Sequence, residues 1–163
     1  MHIGTSTFGS IEIGESAAYI KREIKINGLP QNCGLYIAVD FSKNVAQCLR
    51  IAELIDNIDA FDSRARARLF KELQEENCLV IDFIDFHLEE FESGIGAKIG
   101  NSKIDRNLLL QNLDLRGIGF HLHEAGEDIA FSLDYCPGEE FSDQLLVVKF
   151  RENEELVEVA HES

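Results

Sequence analysis

The sequence has little positive charge, with 15 Lys and Arg residues against 30 Asp and Glu residues and a formal net charge of -15. Such a charge repels phosphate backbones and anionic lipid headgroups, so we expect no binding to nucleic acid or to a membrane surface. A charged protein partner would have to be basic. The same charge also serves solubility alone, and both roles stay open at this point.

The sequence also lacks closely spaced cysteines. Cys33, Cys48, Cys78 and Cys136 form no C-x-x-C pair, and no histidine stands at zinc-finger spacing from them, so neither a zinc knuckle nor a redox motif is predicted. We expect reduced, mostly buried thiols. No basic segment followed by an apolar core opens the chain, and no apolar run approaches ~18 residues, which predicts a cytoplasmic protein.

No repeat, linker or low-complexity tract divides residues 1–163, of which 45% are hydrophobic. A single domain of this length buries about two thirds of its unfolded surface without cross-links. We therefore predict one α+β domain, with amino- and carboxy-terminal antiparallel β meanders and three to four helices packed on the sheet. Whether the meanders form one sheet or two stays open.

The carboxy-terminal meander, at residues 117–163, is predicted from the agreement of three hairpin registers. A loop at residues 124–127 places three apolar pairs opposite one another: Leu122 and Ile129, Phe120 and Phe131, Ile118 and Leu133. A turn at residues 136–143 continues this apolar face by setting Leu133, Phe131 and Ile129 against Leu146, Val148 and Phe150. A last loop at residues 151–154 pairs Val148 with Val157 and Leu146 with Val159.

The opposite face of this meander is small and polar on its first two strands, with Gly117, Gly119, His121, His123, Asp128, Ala130, Ser132 and Asp134. On the last two strands it becomes partly apolar, with Leu145, Val147 and Leu156. We expect another element or a partner to cover part of this face.

The amino-terminal meander consists of a short strand at residues 8–13, an alternating strand at 18–26 and a second alternating strand at 33–41. Arg22 is the one break in the alternation. From Ser42 the period becomes helical, and a first helix runs to about Asn57 with Val45, Cys48, Leu49, Ala52 and Ile55 on its buried face.

Two further amphipathic helices follow. Asp59 or Asp62 is expected to cap the second helix, which carries the only basic cluster: Arg64, Arg66, Arg68 and Lys71. Asn77 is expected to cap the third, whose apolar stripe includes His87, with that imidazole satisfied by a backbone carbonyl or a neighbouring acid. Residues 93–103 are predicted to be a glycine-rich loop, and residues 105–112 a short fourth helix.

Three groups of residues are candidates for chemistry. GIGAKIG at residues 94–100 lacks the spacing of a dinucleotide fingerprint and the end of a P-loop, so it predicts a connecting loop. His121 and His123 share one strand face with Asp128 opposite His123, which makes them the alternative reading, a metal site of a hydrolase. Ser132 beside His121 has neither a strained elbow nor an evident oxyanion hole.

Acidic side chains offer a candidate surface for a cationic partner. They lie on the outer face of the third helix and in the loop after Pro137 and Gly138: Asp82, Asp85, Glu89, Glu92, Glu139 and Glu140. Solvated carboxylates account for the same pattern.

The end of the chain, DQLLVVKF at residues 143–150 followed by RENEELVEVAHES, resembles the carboxy-terminal signature of the bacterial domain of unknown function two-thousand-and-four family. FG at 8–9, IDNIDAFD at 55–62 and IDFHLEE at 84–90 fit it too. The resemblance implies a compact α+β domain and transfers no catalytic residue. In fold class and charge the chain is also similar to immunity proteins that neutralise bacterial toxins.

We therefore expect a non-enzymatic protein-binding domain without a cofactor. Its partner would be a basic protein, and in an immunity-type role that partner would be a basic toxin. The alternative is a metal-dependent hydrolase that uses His121, His123 and Asp128.

Overall fold

A computed structural model describes residues 1–38, 41, 43–76, 78–122 and 128–163, with only the backbone at Cys78. The elements in this part of the chain are β1 (His2–Thr5), β2 (Gly9–Glu12), β3 (Ala18–Ile26), β4 (Leu29–Ile37), α1 (Val45–Asp56), α2 (Ile58–Gln74), α3 (Cys78–Ile99), α4 (Arg106–Gln111), β5 (Asp114–Leu122), β6 (Ile129–Cys136), β7 (Leu145–Arg151) and β8 (Leu156–Glu162). This is the predicted α+β fold, with strands at both ends of the described chain.

The two meanders join in one six-stranded sheet of order β3-β4-β5-β6-β7-β8. Neighbouring strands are antiparallel except β4 and β5, which run parallel, and the four helices form the crossover between those two strands. The strand predicted at residues 8–13 is β2. It pairs with β1, which the sequence reading missed, in a separate hairpin.

One face of the sheet is apolar and is called the apolar wall below. Its predicted register between β5 and β6 is confirmed. β7 turns the predicted side chains to this wall, but it is shifted by two residues, so that Leu133 lies opposite Val148 and not Leu146. Phe120 lies opposite Phe131, and Phe131 opposite Phe150. The ring of Phe131 stacks on Phe150 with centroids 5.0 Å apart, and the edge of Phe61 from α2 meets Phe131 at 4.9 Å. Aromatic packing of this kind fixes α2 against the centre of the sheet. The loop at residues 124–127 lies outside the described residues.

The predicted register of β8 is wrong by two residues. Val148 lies opposite Val159, not Val157, and Leu146 lies opposite His161. Two causes add up. The backbone N–H of Arg151 donates to the carbonyl of Glu155, which makes the loop three residues long with its last residue at a positive φ. The register then shifts as in a β-bulge, which leaves Val157 without a partner and 47% exposed.

The first two helices depart from the sequence reading in detail. In α1 the buried residues are Cys48, Ile51, Leu54 and Ile55, whereas the predicted Val45 and Leu49 are exposed. The unpredicted hairpin packs at the end of α1, where Ser6 donates its N–H and its hydroxyl to Asp56. A helix that also contacts this hairpin buries a face rotated toward Ile51 and Leu54, while Cys48 and Ile55 are buried as predicted.

The predicted caps of α2 are wrong as well. The helix begins after Asn57, which makes no side-chain cap. Asp59 and Asp62 instead lie inside the helix, where Asp59 accepts from the backbone N–H of Asn27 at 2.8 Å. Both carboxylates are used for tertiary contacts, which a local capping rule does not anticipate.

Residues 93–99, predicted to be loop, continue α3 to Ile99. A Cβ on Gly94 would lie 2.7 Å from the ring of Phe141, and one on Gly96 2.6 Å from the carbonyl oxygen of Asn101. The two glycines therefore allow close approach to a helix. The predicted cap Asn77 lies outside the described residues, whereas Asp105 caps α4 by accepting from Leu108 N–H at 2.8 Å.

A buried carboxylate joins α2 to the sheet. Asp62 is 2% exposed and accepts from the Tyr135 hydroxyl at 2.8 Å, from the Arg66 Nε at 3.0 Å and from the Asn27 side chain at 2.9 Å. The Arg66 guanidinium also donates to the carbonyl of Leu113 at 3.0 Å. A charge removed from water is tolerated when it is hydrogen-bonded on several sides in this way.

We predict that Phe131→Ala lowers the free energy of unfolding by about 3 to 5 kcal/mol, because it leaves a cavity between α2 and three strands. Urea unfolding measures the loss. Val157→Ala on exposed β8 is the control and should change stability by less than about 0.5 kcal/mol. A large loss at Val157 would mean that the bulge is misplaced.

We also predict that Tyr135→Phe lowers the free energy of unfolding by about 1 to 3 kcal/mol, because Asp62 loses a donor while it stays buried. The same substitution at exposed Tyr36 should be neutral to within about 0.5 kcal/mol. Equal effects of the two substitutions in urea unfolding would contradict the role given to Asp62.

Candidate functional site

The sheet face that turns away from the apolar wall, called the open face below, carries a groove of about 630 Å³. It runs across β3 to β8, and its lining includes Tyr19, Tyr36, Asp134 and Lys149. The volume is in the range of known ligand sites. This is the face that the sequence predicted to be small, polar and partly covered.

Glycines form the floor of this groove. Gly34 on β4 lies beside Gly117 on β5, which lies beside Asp134 on β6. A Cβ on Gly117 would come within 3.0 Å of the Asp134 Oδ2, and one on Gly34 within 2.9 Å of the Tyr19 hydroxyl oxygen. The side chains of Tyr19 and Asp134 thus lean over adjacent glycines from opposite sides, and a larger residue at either position would displace them.

Two tyrosines on β3 and β4 line one side of the groove. Tyr19 and Tyr36 are direct cross-strand partners, and 67% and 44% of their surface is exposed. Large aromatic side chains on a free face are typical of binding surfaces, because a tyrosine offers apolar area and a polar tip together.

Asp134 is the most perturbed carboxyl group of the groove. Its Oδ1 accepts from the Ser132 hydroxyl at 3.0 Å. Burial raises the pKa of Asp134 to about 6, and the negative charge of Glu162 adds to this, whereas the Ser132 hydrogen bond and the charges of Arg116 and Lys149 act against it. Among the described residues Asp134 has no ion-pair partner.

The cations of the groove are already engaged. Lys149 lies 2.9 Å from Glu162 and 3.6 Å from Glu158 across the β7–β8 ladder. Arg116 lies 3.5 Å from Glu139, whose other partner, Lys21, is at 2.6 Å. The hydrogen bond from Lys21 is the main cause of the lowered pKa of Glu139. Both cations therefore leave Asp134 available to a ligand.

The residues of the predicted metal site are not all placed. His121 lines the groove, Asp128 lines a separate depression with Arg151 and Glu152, and His123 lies outside the described residues. Within the described chain no group of three or more His, Cys, Asp and Glu side chains is arranged to hold a metal ion. The metal site stays a prediction. Ser132 donates its hydroxyl to Asp134, not to a histidine.

The predicted acidic surface on α3 is divided by its ion pairs. Asp82, Glu89 and Glu92 are exposed and form no ion pair with a described residue. Asp85 is held by Arg106 of α4, with Nε–Oδ1 and Nη2–Oδ2 distances of 2.7 and 2.6 Å. Of the predicted residues on α3, Asp82, Glu89 and Glu92 are thus the ones open to a partner.

The loop after Pro137 approaches the carboxyl end of α3, but its acids are engaged. The ring of Phe141 packs on Gly94 and lies 6.1 Å from the ring of Phe91. Glu139 pairs with Lys21 and Arg116, and Glu140 lies 4.0 Å from Lys98. These two carboxylates contribute less free negative charge than the sequence suggested.

The basic cluster of α2 is also used within the fold. Arg66 binds Asp62, Arg68 lies 2.6 Å from Glu72, and Arg64 donates to the carbonyl of Glu154 at 2.6 Å. The Arg64 guanidinium also lies over the ring of Phe150, 5.6 Å from its centroid. Arg64 therefore connects α2 to the sheet and to the β7–β8 turn, whereas Arg68 pairs within the helix.

His87 on α3 is fully buried, as its place in the apolar stripe predicted. Its Nδ1 donates to the carbonyl of Phe83 at 2.7 Å, which confirms the backbone partner. Its Nε2 has no hydrogen-bond partner in the described chain. Burial lowers the pKa of His87, the Phe83 hydrogen bond opposes this, and the nearby His161 lowers the pKa further.

The thiols of Cys33, Cys48 and Cys136 are free and buried, as expected. Burial raises the pKa of all three, and that of Cys33 to about 12. Thiols of this kind are poor nucleophiles, since the thiolate is the reactive form.

Comparisons with known proteins give no relatives. No family model, no curated protein and no solved structure matches the chain. The resemblance to the bacterial domain of unknown function two-thousand-and-four family stays a prediction. None of the helices in the described chain has both the length and the apolar content needed to cross a bilayer.

We predict that Asp134→Asn stabilises the protein at pH 7.5 by about 1 to 3 kcal/mol. The folded-state pKa of about 6 lies above the ordinary value of 3.8, so the ionised carboxylate costs stability. That cost is complete above the folded-state pKa and disappears as the pH falls below the ordinary value. The gain should therefore vanish near pH 3.5 in urea unfolding.

The matched control is Asp143→Asn, an exposed aspartate that lines the same groove. Its effect on stability should stay within about 0.5 kcal/mol at both pH values. Destabilisation by Asp134→Asn at pH 7.5 would show that the carboxylate is better solvated than its position implies.

Proposed function

We propose that this protein is a non-enzymatic domain that binds a basic protein partner through the exposed carboxylates of α3. The observation that carries the proposal is that Asp82, Glu89 and Glu92 form no ion pair with a described residue. Cations such as Arg68, Lys98 and Arg106 are paired with other carboxylates instead. The fold thus leaves these three carboxylates on one helix without a cation from the described part of the chain.

The spacing of these carboxylates favours one continuous surface. Asp82, Glu89 and Glu92 are seven and three residues apart, so they lie on one side of α3. Ten residues of helix span about 15 Å. Asp85, on the same side, is already paired with Arg106 and is better regarded as part of the support.

A net charge of -15 acts on a partner before contact. Opposite potentials raise association rates by about one to three orders of magnitude at low salt, and screening removes the gain as ionic strength rises. An immunity role against a cationic bacterial toxin is the most specific form of this proposal. It is supported by the acidic charge and by the likeness in fold class to immunity proteins, and it requires no catalytic group.

We expect the triple variant Asp82→Asn, Glu89→Gln, Glu92→Gln to associate with the partner about ten-fold more slowly at low salt, because steering charge is removed. The partner is first captured from an extract of the source cells, purified, and then used in surface-based kinetics. Near 1 M salt the variant and the original protein should converge, since the screening length falls to about 3 Å.

The matched control changes three exposed glutamates elsewhere to glutamine: Glu12, Glu15 and Glu155. It removes the same net charge and should slow association much less. If both triple variants lower the rate equally, net charge alone is responsible and α3 is not the contact surface. If neither does, the acidic surface only keeps the protein soluble.

A further inference from the structure

We propose that the groove on the open face binds an arginine side chain of a basic protein segment, with its guanidinium paired to Asp134 and stacked against Tyr19 and Tyr36. This proposal rests on the proposed function in one respect only, which is that the arginine comes from a basic protein partner. The acidic side of α3 and this groove are separate surfaces, since α3 contacts the sheet on the side of the apolar wall.

The geometry of one row across the sheet carries the proposal. Gly34, Gly117 and Asp134 lie side by side on β4, β5 and β6, and the Tyr19 phenol leans over Gly34. Neighbouring strands are about 4.8 Å apart, so Asp134 and the glycine under Tyr19 are separated by about 10 Å. The Asp134 carboxylate stands over Gly117 and the Tyr19 phenol stands over Gly34, so a planar group lying on this row would meet an acid at one end and a ring at the other.

Charge selects a cationic occupant. The charged lining consists of the carboxylates Asp134, Asp143 and Glu162 and the cations Arg116 and Lys149. Lys149 is held by Glu162, and Arg116 by Glu139, so neither is free for an anion. Asp134 and Asp143 form no ion pair with a described residue. An incoming cation would also stabilise the ionised form of Asp134, which burial disfavours.

The shape of the groove favours arginine over lysine. A guanidinium is planar, donates two parallel hydrogen bonds to a carboxylate and stacks on aromatic faces, whereas an ammonium does neither of the last two. Tyr19 and Tyr36 supply adjacent exposed rings on one side of the groove. A second copy of this chain is disfavoured, because each copy carries a charge of -15.

The probe is the blocked pentapeptide Gly-Gly-Arg-Gly-Gly, titrated into ¹⁵N-labelled protein while the amide signals of Gly34, Gly117 and Gly119 are followed by NMR. We expect saturable shifts at these three glycines. The same peptide with neutral citrulline in place of arginine should bind at least about ten-fold more weakly, since it keeps the shape and loses the charge. A lysine peptide should fall between the two.

Two variants test the named contacts. Asp134→Asn should weaken the arginine peptide about ten-fold or more. Tyr19→Ser, at a largely exposed position, should weaken it about two- to five-fold through the lost stacking. Glu12→Gln removes one carboxylate from the separate β1–β2 hairpin and should leave the affinity unchanged.

Equal affinity for the arginine and citrulline peptides, or unchanged affinity after Asp134→Asn, would overturn the proposal. So would shifts confined to α3. Lysine binding as tight as arginine would overturn the choice of side chain. The triple variant of α3 should keep the affinity for the peptide. A groove that does not bind arginine therefore leaves the proposed function of α3 standing, and failure of the α3 proposal leaves arginine binding in the groove standing.

Discussion

The buried carboxylate of Asp62 is the constraint on which the arrangement of the layers depends. An ionised group at 2% exposure is tolerable only while its donors are in place, and these donors come from three parts of the chain: Tyr135 on β6, Arg66 on α2 and Asn27 in the β3–β4 turn. Any sliding of α2 along the sheet would separate them. Apolar packing brings the helix to the wall, and Asp62 selects one position for it.

That selection determines which face of the sheet is left to a ligand. The arginines of α2 bind Asp62, Glu72 and the carbonyl of Glu154, so their positive charge lies on the side of the sheet that the helices cover. Among the described residues, Asp134 on the open face forms no ion pair, and neither do Asp82, Glu89 and Glu92 on α3. Both candidate surfaces are therefore consequences of how the fold uses its few cations.

Local patterns predicted what local physics determines. Strict alternation placed Phe120 opposite Phe131, because a slip would have exposed both rings. The pattern failed at Val157, where a bulge interrupts the period. It also failed at Gly94, where the glycine makes room for the ring of Phe141 to pack on the helix and does not form a turn. Sequence patterns could not predict the groove, since Gly34 lies beside Gly117 only through the parallel pairing of β4 and β5, which joins segments about eighty residues apart in the sequence.

This parallel seam is short, extending from the pair Gly34–Gly117 to the pair Ile37–Phe120, and glycine occupies one side or both in two of its pairs. Glycines contribute no cross-strand side-chain contact, so the ladder there depends on its backbone hydrogen bonds and on the wall beneath. Hydrogen exchange through partial opening should therefore divide the sheet at this line, with β3 and β4 released as one cooperative unit. A ligand bound across β4 and β5 would connect the two parts of the sheet and would suppress this opening.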